Sequence, residues 1–211
     1  MLFKFAGSAV CHKLVDRSLS AGGVPLPLCA RCAGLYLGFF ITFIYLGVKK
    51  RLSGNKPPGL IFLSAAVFGI CALMIDGATS YIGARNSENL LRLITGVLCG
   101  APLPVLVTLA ANYAPEKIND EAIVEYFWEY PAILCVTMII GMMIYFERIN
   151  NWFAVSLAVC AGEMAMFIML INLLIIYFFP KINKLMRYIL NGTLPVVAII
   201  ISNAVQAAIR S

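Results

Sequence analysis

Apolar residues in this chain run in blocks of about twenty, and a block of that length has few folds open to it. A helix needs about 20 residues to cross the ~30 Å hydrocarbon core of a bilayer. Measured against that length, the sequence predicts spans near 31–48, 58–75, 90–112, 131–146 and 152–179, and a last one within 185–209. The breaks hold turn-forming residues: Gly54-Asn55-Lys56-Pro57-Pro58, Asp76-Gly77, Ala114-Pro115 and Pro180. The blocks are continuous rather than alternating, which argues against strands. Only 12% of the 211 residues are charged, against about 25% in soluble domains, so an ordinary cytosolic enzyme is excluded. A hydrophobic fraction of 62% excludes a disordered chain. The expectation is a single all-α membrane domain over residues 1–211, a polytopic bundle of about six transmembrane helices.

The formal net charge of +6 arises from 16 Lys and Arg against 10 Asp and Glu. The excess sits in clusters that flank the apolar blocks, such as Lys49-Lys50-Arg51 and Lys181/Lys184/Arg187. Flanks of this kind orient helices and meet anionic lipid, so membrane lipids are the expected partners and nucleic acid is not. The stretch Phe5 to Val10 is too short for a secretory signal and lacks a small-residue cleavage site, so none is expected. Six spans place Lys49, Lys50, Arg51, Lys56, Lys117, Lys181, Lys184 and Arg187 on one side, and Lys4, Lys13, Arg17, Arg31, Arg85, Arg92, Arg148 and Arg210 on the other. If Arg17, Arg31 and Arg92 serve a site, the first side leads by eight to five and faces the cytoplasm. The N-terminal segment then lies outside. Residues 115–130 differ in character: Glu121, Glu125 and Glu129 recur every four residues, with Ile118, Val124, Phe127 and Trp128 as an apolar side. That pattern predicts an amphipathic helix on the membrane surface with a solvated acidic face.

Residues 1–30 form an interfacial segment that holds the most informative chemistry. Cys11-His12 precedes Cys29-Ala30-Arg31-Cys32. Zinc favours thiolate and imidazole, and a Cys-x-x-Cys pair lets two sulfurs reach one ion from a single turn. Cys11, His12, Cys29 and Cys32 are therefore the candidate metal ligands, with His12 either the fourth ligand or a free acid/base. Cys71, Cys99, Cys135 and Cys160 fall singly inside apolar blocks and read as small hydrophobes.

Counting membrane crossings over spans 31–112 adds what local motifs miss. Span one starts where span two ends and where span three begins. One membrane face thus receives Cys11, His12, Arg17, Cys29, Arg31, Cys32, Asp76, Arg85, Asn89 and Arg92. Unpaired charge at the apolar boundary is expensive, so this cluster is the candidate site. Asp76 and His12 are candidate general bases; Arg17, Arg31, Arg85, Asn89 and Arg92 are candidate substrate contacts. A plainer reading has Asp76 in a salt bridge with Arg85 or Arg92, and Asn86-Ser87-Glu88-Asn89 as the cap of span three. Within residues 131–209, Glu163 lies inside an apolar span, where a carboxyl is a functional hypothesis by default. Gly34-x-x-x-Gly38 and Gly96-x-x-x-Gly100 suit close helix packing, and Pro102 with Pro104 predicts a kink in span three.

The run Cys11-His12 … Arg17-Ser18 … Pro27-Leu28-Cys29-Ala30-Arg31-Cys32-Ala33-Gly34, followed by Asp76-Gly77 … Arg85-Asn86-Ser87-Glu88-Asn89-Leu90-Leu91-Arg92, resembles an uncharacterised family of predicted prokaryotic membrane proteins, a domain of unknown function. The resemblance covers roughly residues 8 to 104. Ser80 departs from it, since the family more often has Gln there. It implies that both blocks belong to one site in an archaeal or bacterial plasma membrane, and it implies no activity.

Three functions follow as expectations. The first is a zinc-type site whose arginines clamp an anionic lipid or polyprenyl phosphate headgroup, a geometry arginine suits. The second is a thiol–disulfide oxidoreductase coupled to a quinone, with Cys29 and Cys32 activated at a helix N-terminus. The third is a channel or transporter in which the metal is structural and Glu163 lines a path. Oligomeric state stays open, since glycine stripes serve internal and dimer contacts equally.

Overall fold

The computed structural model describes residues 3, 7, 11, 15–85 and 87–210. Among these, six helices follow a two-stranded hairpin: β1 (Ser18–Ala21), β2 (Val24–Cys29), α1 (Ala30–Val48), α2 (Leu60–Tyr81), α3 (Asn89–Asn112), α4 (Glu129–Tyr145), α5 (Trp152–Phe178) and α6 (Lys184–Arg210). Five of the helices are long and apolar enough to cross a membrane. The exception, α4, is apolar but has 17 residues, about 26 Å at 1.5 Å per residue, the lower limit for a span. The all-α membrane bundle is thus as expected.

Helix α1 is the central element and packs against α3, α4 and α5, while α2 leans on α3 and α6 on α5. The α1–α3 contact runs backbone to backbone. A Cβ added at Gly34 would meet the carbonyl of Leu93, and one at Gly100 the carbonyl of Leu35. Gly38 faces the Ala101 amide, where a Cβ would come within 2.9 Å. Both predicted glycine stripes are consumed in this one interface. Helix α3 breaks between Gly100 and Leu103, where Pro102 stands ahead of Pro104, because proline cannot donate to the preceding turn. The outer faces carry exposed Ile61, Phe68, Met74 and Ile75 on α2, the lipid-facing composition of a bundle edge.

Residues 18–29, expected only as part of an interfacial segment, form a hairpin. Gly22 and Gly23 both take positive φ, 59° and 73°, the backbone a two-residue hairpin turn needs. Leu19 and Ala21 face inward on one strand, Leu26 and Leu28 on the other. Pairing runs Ala21↔Val24 and Ser20↔Pro25, then shifts register before Ser18↔Cys29; Pro25 and Pro27 supply no N–H to that ladder.

Residues 115–130 correct an expectation: no surface helix forms there, and turns and bends run up to the start of α4. Asn119 instead closes a local loop, donating to the Ala114 carbonyl at 2.7 Å and accepting from its amide at 3.2 Å, a competition with helix typical of Asn. The four-residue glutamate spacing serves an ion pair. Arg51, just beyond α1, donates to both oxygens of Glu129 at 2.8 and 3.0 Å and also binds Glu125. Glu129 is 2% exposed, so the acidic face is not solvated throughout. Burial works against the Arg51 charge, but Glu129 beside it holds its pKa above the ordinary value. Replacing Arg51 by Met is expected to cost about 2–3 kcal/mol by stranding Glu129, read as a melting temperature about 5–10 °C lower in detergent.

Candidate functional site

The hairpin, the start of α1 and the facing ends of α2 and α3 build one site. Gly7 sits against the Pro27 carbonyl, where a side chain would collide, and the Cys11 amide closes a turn onto the Gly7 carbonyl at 3.2 Å. Trp152 at the head of α5 donates from Nε1 to the Pro25 carbonyl at 3.0 Å and meets the Phe3 ring edge-on at 5.8 Å. These contacts seat Cys11, which is buried, over the end of the hairpin. Cys29 ends β2 and is the extended N-cap of α1; Cys32 lies in the first turn.

The three sulfurs of Cys11, Cys29 and Cys32 lie within 4.8 Å of one another. The Cys29 amide donates to Cys11 Sγ at 3.4 Å. Tetrahedral zinc with sulfur at ~2.3 Å separates its thiolates by about 3.8 Å, so the donor set and its spacing fit such an ion. As free thiols they share hydrogen bonds, and the bond to Cys11 pushes the Cys29 pKa up, with burial adding to it. His12 lies outside the described residues. Cys71 and Cys135 are exposed on the bundle surface, and Cys99 and Cys160 are buried away from this cluster.

Asp76, near the end of α2 and 2% exposed, is the anchor of the neighbouring polar cluster. Its Oδ1 accepts from Arg85 Nη2 at 2.8 Å and from Ser87 Oγ at 2.6 Å. Its Oδ2 accepts from Arg31 Nε at 2.9 Å and lies 3.4 Å from Thr95 Oγ1. Arg31 also donates to the Asp76 backbone carbonyl at 3.2 Å. A carboxylate has about four acceptor positions, and these contacts fill them. The salt-bridge reading thus holds for Arg85, while the second partner is Arg31 rather than Arg92.

Arg92 is 6% exposed, and among the described residues no carboxylate reaches it. Among the described residues its guanidinium finds only long bonds to neutral oxygens, Asn89 Oδ1 at 3.3 Å and Ser80 Oγ at 3.4 Å. Arg17, Arg31, Cys29 and Asp76 are within its electrostatic reach. Asn89 ties the site to the hairpin, donating to the Asp16 and Ser18 carbonyls at 3.2 and 3.5 Å. The run Asn86 to Asn89 does hold the start of α3, with Glu88 as N-cap, but Glu88 makes no side-chain capping bond, and Ser87 is spent on Asp76 rather than on a cap. Asn86 lies outside the described residues. Thr95, three residues after Arg92, and Ser80, the position that departs from the family, also join the site; neither has a role legible in the sequence, because spacing alone does not orient their helix faces.

The family described as "Predicted membrane protein (DUF2085)" matches residues 11–106. Uncharacterized protein MJ1492 of Methanocaldococcus jannaschii is 36% identical over 93 residues, 44% of this chain and 58% of the relative. An uncharacterized protein of Methanothermobacter thermautotrophicus is 37% identical over 97 residues, 46% of this chain and 83% of the relative. The matched stretch thus covers little more than half of the first relative. No solved structure matches.

Proposed function

Since the chain belongs to the DUF2085 family of predicted membrane proteins, and the matched stretch contains every thiol and arginine of the site, we propose a function from that site. Cys11, Cys29 and Cys32 hold a zinc-type ion at one membrane face, and the adjoining arginines receive an anionic, lipid-borne headgroup such as a polyprenyl phosphate. His12, next to Cys11 in the chain, is the remaining nitrogen donor for the ion or an acid/base beside it.

The observation that carries this reading is the pairing of three clustered sulfurs with a buried arginine that meets no carboxylate among the described residues. Three thiolates around a divalent cation leave one net negative charge, and Arg92 within reach of Cys29 offsets it. Asp76 positions Arg31 and Arg85, which are 23% and 49% exposed in their side chains and so remain able to meet a ligand. Arginine forks match phosphate oxygens two at a time. A bound zinc ion would supply a fixed positive centre beside that headgroup. With these arginines assigned to a site, the basic residues of the opposite face orient the chain with its thiols outside the plasma membrane.

Elemental analysis of detergent-purified protein, with a thiol count on the same sample, tests the metal. One zinc per chain is expected, falling below one-tenth in Cys29→Ser and in Cys32→Ser. Absence of metal, with a Cys29–Cys32 disulfide recovered after anaerobic purification, would overturn it in favour of thiol redox chemistry with a quinone. For the headgroup, detergent-solubilised wild-type protein should bind phosphatidic acid in mixed micelles at least tenfold more tightly than Arg85→Gln, whose side chain is half exposed; equal binding would sink that part.

A further inference from the structure

Deeper in the bundle than the thiols lie buried polar oxygens that none of the described residues satisfies. Glu163 in α5 is 0% exposed, and neither carboxyl oxygen has a hydrogen-bond partner. It is the twelfth residue of α5, about 17 Å along a helix of about 40 Å, and so lies near mid-membrane. Thr42 on α1, Thr108 on α3 and Ser156 on α5 are also buried, and their hydroxyls also lack partners. A helical Ser or Thr normally donates to the carbonyl one turn back, as Thr137 does to Ile133 at 2.8 Å. These three forgo that bond although they sit in helices.

The helices that carry them adjoin. Helix α5 packs on α1 and on the second half of α3, the helices that contribute the other two hydroxyls. Thr108 lines a cavity of about 180 Å³ together with Phe43 of α1, Asn112 of α3, and Met169 and Asn172 of α5. Thr42 precedes Phe43 in the chain. Met169 lies six residues beyond Glu163, about 9 Å along the helix. A cavity of this size with several polar groups has room for several waters, and it lies toward the membrane face opposite the thiols.

An unpaired carboxylate at this depth costs several kcal/mol, so Glu163 is neutral at rest and ionises only as water or a counter-charge reaches it. One carboxyl is too few ligands for a metal cation, which takes several oxygens, but it suffices for a proton. The titratable groups within its electrostatic reach are Tyr36 on α1, Cys160 on its own helix and Cys11, and among the described residues no basic group forms an ion pair with it.

We propose that Glu163 is the mid-membrane station of a proton path, linked by Thr42, Thr108 and water in the Phe43–Asn172 cavity to the face opposite the thiols, and by Ser156, about two turns back along α5, to the thiol face. Each transfer makes one O–H bond on the carboxylate as one breaks on a neighbouring water, and no electron moves. Nothing in this requires the thiols to hold a metal.

The test is proton flux into liposomes holding the full chain, driven by a potassium gradient with valinomycin and read with an internal pH dye. Wild-type flux is expected well above that of protein-free vesicles, and at least tenfold lower in Glu163→Gln. Thr108→Leu keeps the carboxyl but fills the cavity, and should lower flux several-fold. Dicyclohexylcarbodiimide, which adds across a protonated carboxyl in apolar surroundings, should label Glu163 and stop the flux. Wild-type flux no greater than that of empty vesicles would overturn the proposal, as would equal flux in Glu163→Gln. Should that variant fail to fold, undiminished flux in both Thr108→Leu and carbodiimide-treated vesicles would overturn it equally.

Discussion

Replacing Asp76 by asparagine is expected to lower the melting temperature in detergent by about 10 °C. The substitution keeps the shape of the side chain and removes the one charge that Arg31 and Arg85 share. Removing one partner of a buried ion pair costs about 3–5 kcal/mol; Arg85 is half exposed and recovers part of its solvation, so about 3 kcal/mol is expected, and a chain of this size loses about 2–4 °C per kcal/mol. Ser87→Ala deletes only one hydrogen bond to the same oxygen and should cost about 1 kcal/mol. A melting temperature unchanged in Asp76→Asn would mean that the carboxylate does not hold α2 to the start of α1. Because the arginines lose their fixed positions, headgroup binding should fall with it, and Ser87→Ala should leave binding largely intact.

The second large effect is steric. Gly100→Ala is expected to cost about 3 kcal/mol, and Gly100→Val to abolish recovery of monodisperse protein. The added Cβ at Gly100 meets the carbonyl, carbon and Cα of Leu35, all of them backbone, so no rotamer change relieves the collision. The α1–α3 interface must separate along its length, and that carries the Arg31 and Arg92 ends of the site apart. Gly192→Ala is the control: nothing stands within 4 Å of a Cβ there, and alanine favours the helix by about 1 kcal/mol. Size-exclusion yield and thermal melting read both. Wild-type behaviour from Gly100→Ala would show that α1 and α3 do not meet backbone to backbone.

The fold and part of the site were legible in the sequence for different reasons. A span is a local property: an unbroken apolar run has no other place to satisfy its backbone than a helix in lipid, so the helices lie close to the predicted blocks. The hairpin had a signal that the long apolar blocks overshadowed, namely Gly22-Gly23 between short runs with Leu19, Ala21, Leu26 and Leu28 facing one way. The surface helix expected over 115–130 failed because a period of four in glutamate does not say what the glutamates bind. Arg51, which gathers two of them, stands 78 residues before Glu129.

By itself, then, the sequence determined where the apolar helices lie and, through their up-and-down order, which polar residues come together at one end of the bundle. Both follow from the length of apolar runs and need no knowledge of how helices pack. The tertiary structure alone decided partnership. Arg31 rather than Arg92 takes Asp76, across 45 residues of chain, because Gly34 and Gly96 let α1 and α3 close to backbone contact and fix the rotation of each helix. That rotation leaves Arg92 buried with no carboxylate partner among the described residues; the hairpin's contacts with Gly7 and Trp152 bring Cys11 to Cys29 and Cys32, and the packing of α5 leaves Glu163 with no hydrogen-bond partner among the described residues. Charges and thiols interact over a few ångströms, and only packing sets distances that small between residues far apart in the chain.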